Sequence, residues 1–196
     1  LDAAITLYAR YGVDGVSLSQ LADHVGLHKS TLFHHFDAKA EIAEAALRRA
    51  VEPLRDIVLP LGEVDAPPHI DQLLTVLLQL DDHFSRAPAA ARFLLRALVG
   101  PGDDLENHPA LLDATHPVNQ IFQTLGVWFT RARAAKAIRA VRVRHAIINL
   151  LGIALLYPAI AEDLANDVFD LPTTASRSRR ARRHELAAHI RAAYGR

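Results

Sequence analysis

Ammonium, hydroxyl and imidazole side chains are concentrated in one short segment near the start of this 196-residue chain. The segment, residues 29–35, reads KSTLFHH and follows Gly26 by two residues. Lysine ammonium groups bind phosphate oxygens, whereas hydroxyl and imidazole groups form hydrogen bonds with base edges in the DNA major groove. The residue types therefore point to contact with nucleic acid.

The elements around this segment predict how it is held. Apolar residues at helical spacing precede Gly12 and indicate a first helix ending near Tyr11. The run Ser17-Leu18-Ser19-Gln20 has the spacing of a capping box and begins a second helix. Gly26 permits a tight turn, and Leu32 with Phe36 form an apolar pair on a third helix. Two short helices joined across a glycine predict a helix-turn-helix unit.

A rotation of 100° per residue from Leu32 assigns the outer face of the third helix. Ser30 and His34 point away from the core, and Thr31 and Phe33 lie on the flanks. The first pair is suited to base edges, and Phe33 to a thymine methyl group. Lys29, Lys39 and the Ser17 hydroxyl are suited to backbone phosphates, as are the free amides at the start of a fourth helix. That helix is predicted from an N-cap at Asp37 to Val58.

Several separately spaced runs carry a family resemblance. They are residues 5–12 (ITLYARYG), 15–17 (GVS), 21–22 (LA), 25–27 (VGL) and 29–36 (KSTLFHHF), with Lys39. Together they closely resemble the DNA-binding domain of TetR-type transcriptional regulators over about residues 1–50. The resemblance implies a dimeric, ligand-responsive transcription factor, usually a repressor, that binds a palindromic operator in double-stranded DNA.

The resemblance also assigns contacts with DNA. The family's base and phosphate contacts fall here on Ser17, Lys29, Ser30, Thr31, Phe33, His34, His35 and Lys39. Two positions depart from the family pattern: the family more often has Tyr where this chain has Phe33, and it often has Ser where His28 begins the helix. The phosphate contact of a tyrosine hydroxyl is therefore not expected here.

The charge balance is neutral overall and acidic in the first 58 residues. The chain has 22 Lys plus Arg and 22 Asp plus Glu. Residues 1–58 carry six basic side chains against eight acidic ones, a net charge of −2 with histidine neutral. This balance weakens non-specific affinity for DNA. It keeps open a second interpretation, an α-helical small-molecule binding protein with no operator binding.

The remainder predicts a larger helical body. Helices are expected near residues 70–85, 89–99, 110–133, 137–166 and 177–194, with a loop through 171–174. No alternating pattern indicates a strand, so we predict an all-α protein with a DNA-binding domain at 1–50 and a ligand-binding and dimerisation domain at 51–196. By resemblance, the last two long helices build the homodimer interface.

Apolar and aromatic residues of the body are numerous enough to line an effector cavity as well as a core. The candidate pocket residues are Leu74, Leu77, Leu78, Phe93, Phe122, Leu125, Trp128 and Phe129. No charge is evidently placed among them, which favours a small and largely apolar or aromatic effector.

Other function classes are disfavoured. The chain has no cysteine, which excludes thiolate chemistry, and it has no nucleophile motif or phosphate-binding glycine loop. His34 and His35 are adjacent and point about 100° apart on a helix, which is unsuited to one metal ion. The run Asp81-Asp82-His83 is most simply a solvated helix face. We predict no enzyme activity, cofactor or metal site.

The location of the protein is also predicted from the apolar pattern. The longest apolar stretch, within residues 146–161, is interrupted by Asn149 and Pro158 and falls short of a bilayer span of about 20 residues. We therefore expect a cytoplasmic protein with no membrane partner.

Overall fold

The computed structural model describes residues 1–63, 67–99, 113–160 and 176–196. Those residues form helices and connecting turns without a strand, which confirms the all-α prediction. The helices are α1 (Asp2–Tyr11), α2 (Leu18–His24), α3 (Lys29–His35), α4 (Lys39–Val58), α5 (Pro60–Glu63), α6 (Ile70–Arg86), α7 (Pro88–Val99), α8 (Pro117–Ala134), α9 (Val143–Leu151), a π-helical turn (Gly152–Leu156), α10 (Tyr157–Ile160) and α11 (Ser176–Tyr194).

Helices α2 and α3 form the predicted helix-turn-helix unit, for the predicted reasons, and α1 precedes them. The Ser17 side chain accepts from the Gln20 amide, and the Gln20 side chain accepts from the Ser17 amide, completing the capping box at α2. Gly26 has φ +69°, a region that disfavours side chains, and the amide of Leu27 donates back to the Ala22 carbonyl at 2.9 Å. This tight turn sets α3 against α2.

Helix α4 runs without interruption from the helix-turn-helix unit into the body. Its N-cap is Ala38, so the prediction of Asp37 was wrong. The Asp37 amide instead donates to the Glu41 carboxylate at 2.8 Å, which places that acidic side chain over the positive end of the helix. Helix α4 buries an apolar face that includes Leu47, Val51 and Leu54.

The body is a layered bundle around that apolar face. Helix α4 packs against α6 and α8, and α1 packs against α7. Aromatic rings pack where α8 meets α11. The rings of Trp128 and Phe129 lie 5.2 Å apart, and those of Phe129 and Tyr194 lie 5.7 Å apart. The apolar stripe of α11, which includes Ile190 at 0% exposure, packs on this body within one chain.

Several predicted boundaries were wrong. Pro60–Glu63, to which no helix was assigned, is a short helix, because proline is well suited to a first helical turn. Helix α8 begins at Pro117, and α9 begins at Val143, after a turn in which Lys136 has φ 55°. The predicted loop at 171–174, and the predicted helical residues 110–112 and 161–166, lie outside the described residues.

One described segment is long and apolar enough to cross a membrane by composition. It is Val143–Ile160, which has a mean hydropathy of 1.6, and 28% of it is buried within the chain. The stretch that we expected to fall short of a bilayer span therefore overlaps an 18-residue window that meets the length and composition of one. A single helix of this kind is weak evidence of a membrane span.

Candidate nucleic-acid interface and ligand cavity

Helix α3 presents most of its chemistry to solvent. None of its seven residues is buried. Ser30, Phe33, His34 and His35 are exposed, and Thr31 is half-buried. The half-buried Leu32 packs against the core and braces the helix from behind. Hydroxyl and imidazole groups are thus free to reach a partner, which is the arrangement required of a recognition helix.

Two residues predicted to contact phosphates flank this surface. The Lys29 ammonium lies 5.7 Å from the centre of the Phe33 ring, and both side chains are exposed. The Ser17 hydroxyl oxygen accepts the amide of Gln20 at 3.1 Å, which leaves its proton able to donate to a phosphate. The two positions therefore retain hydrogen-bonding capacity toward DNA.

Lys39 has a different environment from the one its sequence position suggested. Its side chain is half-buried, and Nζ lies 3.3 Å from the Val16 carbonyl oxygen and 3.5 Å from that of Asp14. These bonds fasten the start of α4 to the loop before α2. An ammonium has three donors, so one remains for a phosphate, but the group is first a brace of the helix-turn-helix unit.

The body contains a partly open apolar cavity of about 190 Å³. Helices α4, α6, α7, α8 and α9 and the π-helical turn supply its walls. The lining residues are Leu47, Val51, Leu54, Val58, Leu73, Val76, Leu77, Leu80, Phe84, Leu94, Ala97, Leu98, Val118, Asn119, Ile121, Phe122, Leu125, Leu150, Leu151, Ala154 and Leu155. Asn119 is the one polar residue among the lining residues that the structure describes.

Three of the eight predicted pocket residues, Leu77, Phe122 and Leu125, line this cavity. The other five do not. Leu74, Phe93, Trp128 and Phe129 are buried in the core, and Leu78 is half-buried. Specific partners hold two of the aromatic rings elsewhere: Phe93 packs against Tyr8 of α1, and the Trp128 indole nitrogen donates to Gln72 at 3.1 Å.

Helices that line the cavity also contact the N-terminal helices directly. On α7, Arg96 donates to the carbonyl oxygens of Ala9 at 3.0 Å and Arg10 at 3.4 Å. These are carbonyls at the end of α1, where helical partners run out and a cation is favourable. Because α7 also lines the cavity through Leu94 and Ala97, one helix contacts both regions.

A second contact joins α8 to α4. The fully buried His116 is the N-cap of α8, and its Nδ1 accepts from the amide of Val118 at 3.2 Å. Its Nε2 therefore carries the proton of the neutral imidazole and faces the Glu44 carboxylate at 3.3 Å. Burial lowers the pKa of His116, and Arg48 acts in the same direction, while Glu44 opposes them. The neutral form is the one that fits both neighbours.

Sequence reasoning missed these contacts between the two regions. Pro117 at the first helical position was a usable signal for His116 as a cap. No comparable local signal exists for Arg96, because its partners are backbone carbonyls 86 and 87 positions away in sequence.

The aspartates of α6 form ion pairs with α11. Arg182 contacts Asp81, Arg183 contacts Asp82 at 2.7 Å and Arg191 contacts Asp71 at 3.1 Å. Asp81 is 6% exposed, so its assignment to a solvated face was wrong. The described ranges contain no cluster of three or more residues suited to a metal ion.

Known proteins resemble this chain both in its N-terminal region and beyond it. Residues 1–46 match the family model described as "Bacterial regulatory proteins, tetR family". The chain is 36% identical over 59 residues to the negative transcriptional regulator IcaR of the biofilm operon icaADBC in Staphylococcus aureus strain Newman, covering 30% of this chain and 32% of IcaR. It is 29% identical over 103 residues to the transcriptional repressor KstR2 of Rhodococcus jostii, covering half of each chain.

Solved structures extend the likeness to the whole chain. PfmR, a TetR family transcriptional regulator of Thermus thermophilus, has a TM-score of 0.67 at 20% identity, covering 97% of this chain and 96% of PfmR. The ketosteroid transcriptional regulator KstR2 of Mycobacterium tuberculosis has a TM-score of 0.70 at 13% identity, covering 100% of this chain and 92% of that one. These similarities show the fold, whereas the curated relatives are matched over only a third to a half of their length.

Proposed function

We propose that this chain, a TetR-type regulator by its N-terminal domain and its fold, represses transcription by binding a palindromic operator as a homodimer and leaves it when a small, largely apolar effector binds. The observation that carries the proposal is the exposed polar face of α3, held by a capped α2 and a glycine turn in a domain that matches the tetR family model. The named relatives that are repressors support the direction of regulation.

The two regions have different proposed roles. Residues 1–50 bind DNA, with base contacts from Ser30, Thr31, Phe33 and His34 and a helix-end or phosphate contact from His35. Phosphate contacts come from Ser17, Lys29 and Lys39. Residues 51–196 hold the effector and the second subunit, and the uninterrupted α4 joins the two parts. The site of action is the cytoplasm, where the operator lies.

Dimerisation is supported by apolar side chains that the single chain leaves uncovered. Ile148 is 63% exposed and Leu156 is 48% exposed, and both lie with the exposed Gly152 along one side of the segment 143–160. A Cβ atom at Gly152 would meet nothing within 4 Å, so there is room for a second helix to approach closely. Two recognition helices about 34 Å apart would then read successive major grooves.

Release by an effector is supported by the position of the cavity between helices that hold the DNA-binding region. Arg96 of α7 binds the end of α1, and His116 of α8 faces Glu44 of α4. A ligand changes operator affinity only if it binds one arrangement of these helices more tightly than the other. A cavity bounded by both helices meets the geometric requirement for that preference.

The operator-binding proposal is tested by selecting duplexes from a random pool with the full chain. We expect the selected sequences to share an inverted repeat and to bind less tightly as salt rises. Lys29→Ala should weaken every duplex and reduce the salt slope by about 1 per subunit, whereas Ser30→Ala should change which bases are preferred. The proposal fails if no repeat is enriched.

The alternative of a small-molecule binding protein without operator binding has its own supporting observation. The net charge of −2 in residues 1–58 and the engagement of Lys39 with backbone carbonyls both reduce the positive charge available to DNA. That function is favoured if an apolar ligand binds the wild-type chain while no duplex is enriched. The two measurements therefore separate the two functions.

A further inference from the structure

The apolar cavity is a built site whose chemistry restricts its occupant more narrowly than the proposed function does. We infer that it binds an uncharged hydrocarbon or aromatic molecule of about six to eight carbon atoms, and that it rejects a charged molecule of the same size. This inference rests on the proposed function for the occupant's role as effector, and on the cavity alone for its chemical class.

The volume sets the size of the occupant. An apolar cavity of about 150 Å³ lined by Leu, Ile and Phe binds benzene, which has six carbon atoms. The cavity here is about 190 Å³ and has the same kind of lining. In proportion, it holds about eight carbon atoms.

The lining sets the charge of the occupant. Apart from Asn119, the lining side chains in the described part of the chain are those of Leu, Val, Ile, Phe and Ala. The Asn119 side-chain amide donates one hydrogen bond to the carbonyl oxygen of Asp113 at 2.6 Å, away from the cavity lining. A carboxylate or ammonium inside would lose its water without gaining a counter-ion from the described lining residues, and burial of an unpaired charge is strongly unfavourable.

Several charged residues on the cavity helices form ion pairs away from the cavity. On α4, the Arg48 guanidinium contacts Glu44 at 3.0 Å and that of Arg55 contacts Asp56 at 2.9 Å. On α6, Asp81 is held by Arg182. None of these side chains lines the cavity, so none is in place to neutralise a charged occupant.

The buried polar atoms that have no hydrogen-bond partner do not change this conclusion. In the described part of the chain they are Tyr8 Oη, Glu44 Oε2 and His116 Nε2. Tyr8, Glu44 and His116 are all absent from the cavity lining. None of these unpartnered atoms of the described residues is therefore in place to select a polar ligand.

The lining residues differ in exposure. Most are buried, but Leu98 of α7 is 40% exposed, and six others are half-buried: Ala97, Val118, Asn119, Phe122, Leu151 and Ala154. Among the described residues, the more exposed part of the lining therefore lies at the end of α7, in the first turns of α8 and where α9 meets the π-helical turn.

A matched set of eight-carbon probes tests the inference on the full chain without DNA. Ethylbenzene is neutral, phenylacetate is anionic and 2-phenylethylammonium is cationic at pH 7. We expect ethylbenzene to raise the unfolding midpoint and both ions to bind at least tenfold more weakly by titration calorimetry. Failure of ethylbenzene to bind, or equal or tighter binding of either ion, overturns the inference.

A pair of variants on α6 locates the binding. Val76 is buried and lines the cavity, whereas Gln79 is exposed on the same helix. Val76→Phe should fill the space and weaken ethylbenzene binding at least tenfold, and Gln79→Phe should leave it unchanged. A folded Val76→Phe protein that still binds ethylbenzene contradicts the assignment to this cavity. The wild-type comparison of the three probes does not depend on either variant folding.

Failure of this inference is distinguishable from failure of the proposed function. If ethylbenzene binds but leaves the affinity for a selected duplex unchanged, the cavity chemistry stands and release by a ligand of this class is contradicted. If a duplex is bound but none of the three probes binds, operator binding stands and the cavity inference is overturned.

Discussion

The proposed roles of helix α3 and of the apolar cavity depend on opposite structural features. The helix has no buried residue, and its proposed role depends on the identity of exposed groups such as Ser30 and His34. The cavity offers almost no polar group, and its proposed role depends on space left between well-packed aliphatic side chains. Changes on α3 should therefore alter binding without unfolding the protein, whereas changes in the cavity should act first on stability.

The largest expected effect tests that division directly. Leu77 lines the cavity and is 4% exposed, so Leu77→Asp puts a carboxylate where the described lining offers no counter-ion. We expect the free energy of unfolding to fall by about 4 kcal/mol, measured by urea denaturation at a fixed protein concentration. The matched variant Ser30→Asp on α3 should change it by no more than about 0.5 kcal/mol. Equal losses for the two variants would break the comparison.

A smaller effect sharpens the α3 side of the comparison. Removal of a side chain that forms hydrogen bonds with a base edge costs about 1–3 kcal/mol of discrimination against the wrong base. We expect Ser30→Ala and His34→Ala to lower affinity for a selected duplex and to reduce the penalty of a mismatched base. Fluorescence anisotropy on matched and mismatched duplexes measures both. Uniform weakening across all duplexes would instead indicate contact with phosphate alone.

The same division explains what the sequence could predict. The DNA-binding region is specified by local signals, since the Ser17 and Gln20 capping box and the turn at Gly26 each operate within a few residues. The cavity arises from helices far apart in the chain, so apolar residue type could not separate Leu77, which lines it, from Leu74, which is buried in the core. Lys39 shows the same limit, because its carbonyl partners come from a loop more than 20 residues earlier.

The contacts that join the two regions were the least predictable, and they offer a test of how the regions communicate. Arg96 donates from α7 to the end of α1, whereas Arg92 on the same helix donates to the Ala159 carbonyl inside the body at 3.1 Å. Loss of either hydrogen bond should cost about 1–2 kcal/mol of unfolding free energy. We expect Arg96→Met to lower duplex affinity more than Arg92→Met does, because the Arg96 guanidinium contacts the end of α1.

The comparison of the two variants decides how an effector in the cavity would alter DNA binding. If Arg92→Met and Arg96→Met change duplex affinity equally, α7 acts through the general stability of the body. If Arg96→Met alone does so, the position of α1 depends on this contact, and movement of α7 by an occupant of the cavity would reach the recognition helix through it.

The smallest expected effect concerns the other contact, between His116 and Glu44. Burial lowers the pKa of His116 from its usual value of 6.5, and the charged groups around it are Glu44, Arg48 and Asp113. The unfolded chain therefore takes up this proton first as the pH falls. Stability contributed by the neutral imidazole is fully present above about pH 6.5 and is lost as the pH falls toward the folded-state pKa.

We expect the free energy of unfolding of the wild type to decline more steeply between pH 7 and pH 5 than that of His116→Asn. The asparagine oxygen can still cap α8, but the side chain does not titrate, whereas His116→Ala should lose the cap and cost about 1 kcal/mol at pH 7. His83, whose pKa is also lowered by burial and by Arg86, titrates in both proteins and cancels in the difference. If the pH profiles of the wild type and of His116→Asn are parallel, protonation of His116 does not disrupt its contacts with Val118 and Glu44. The contact between the regions would then be insensitive to acid.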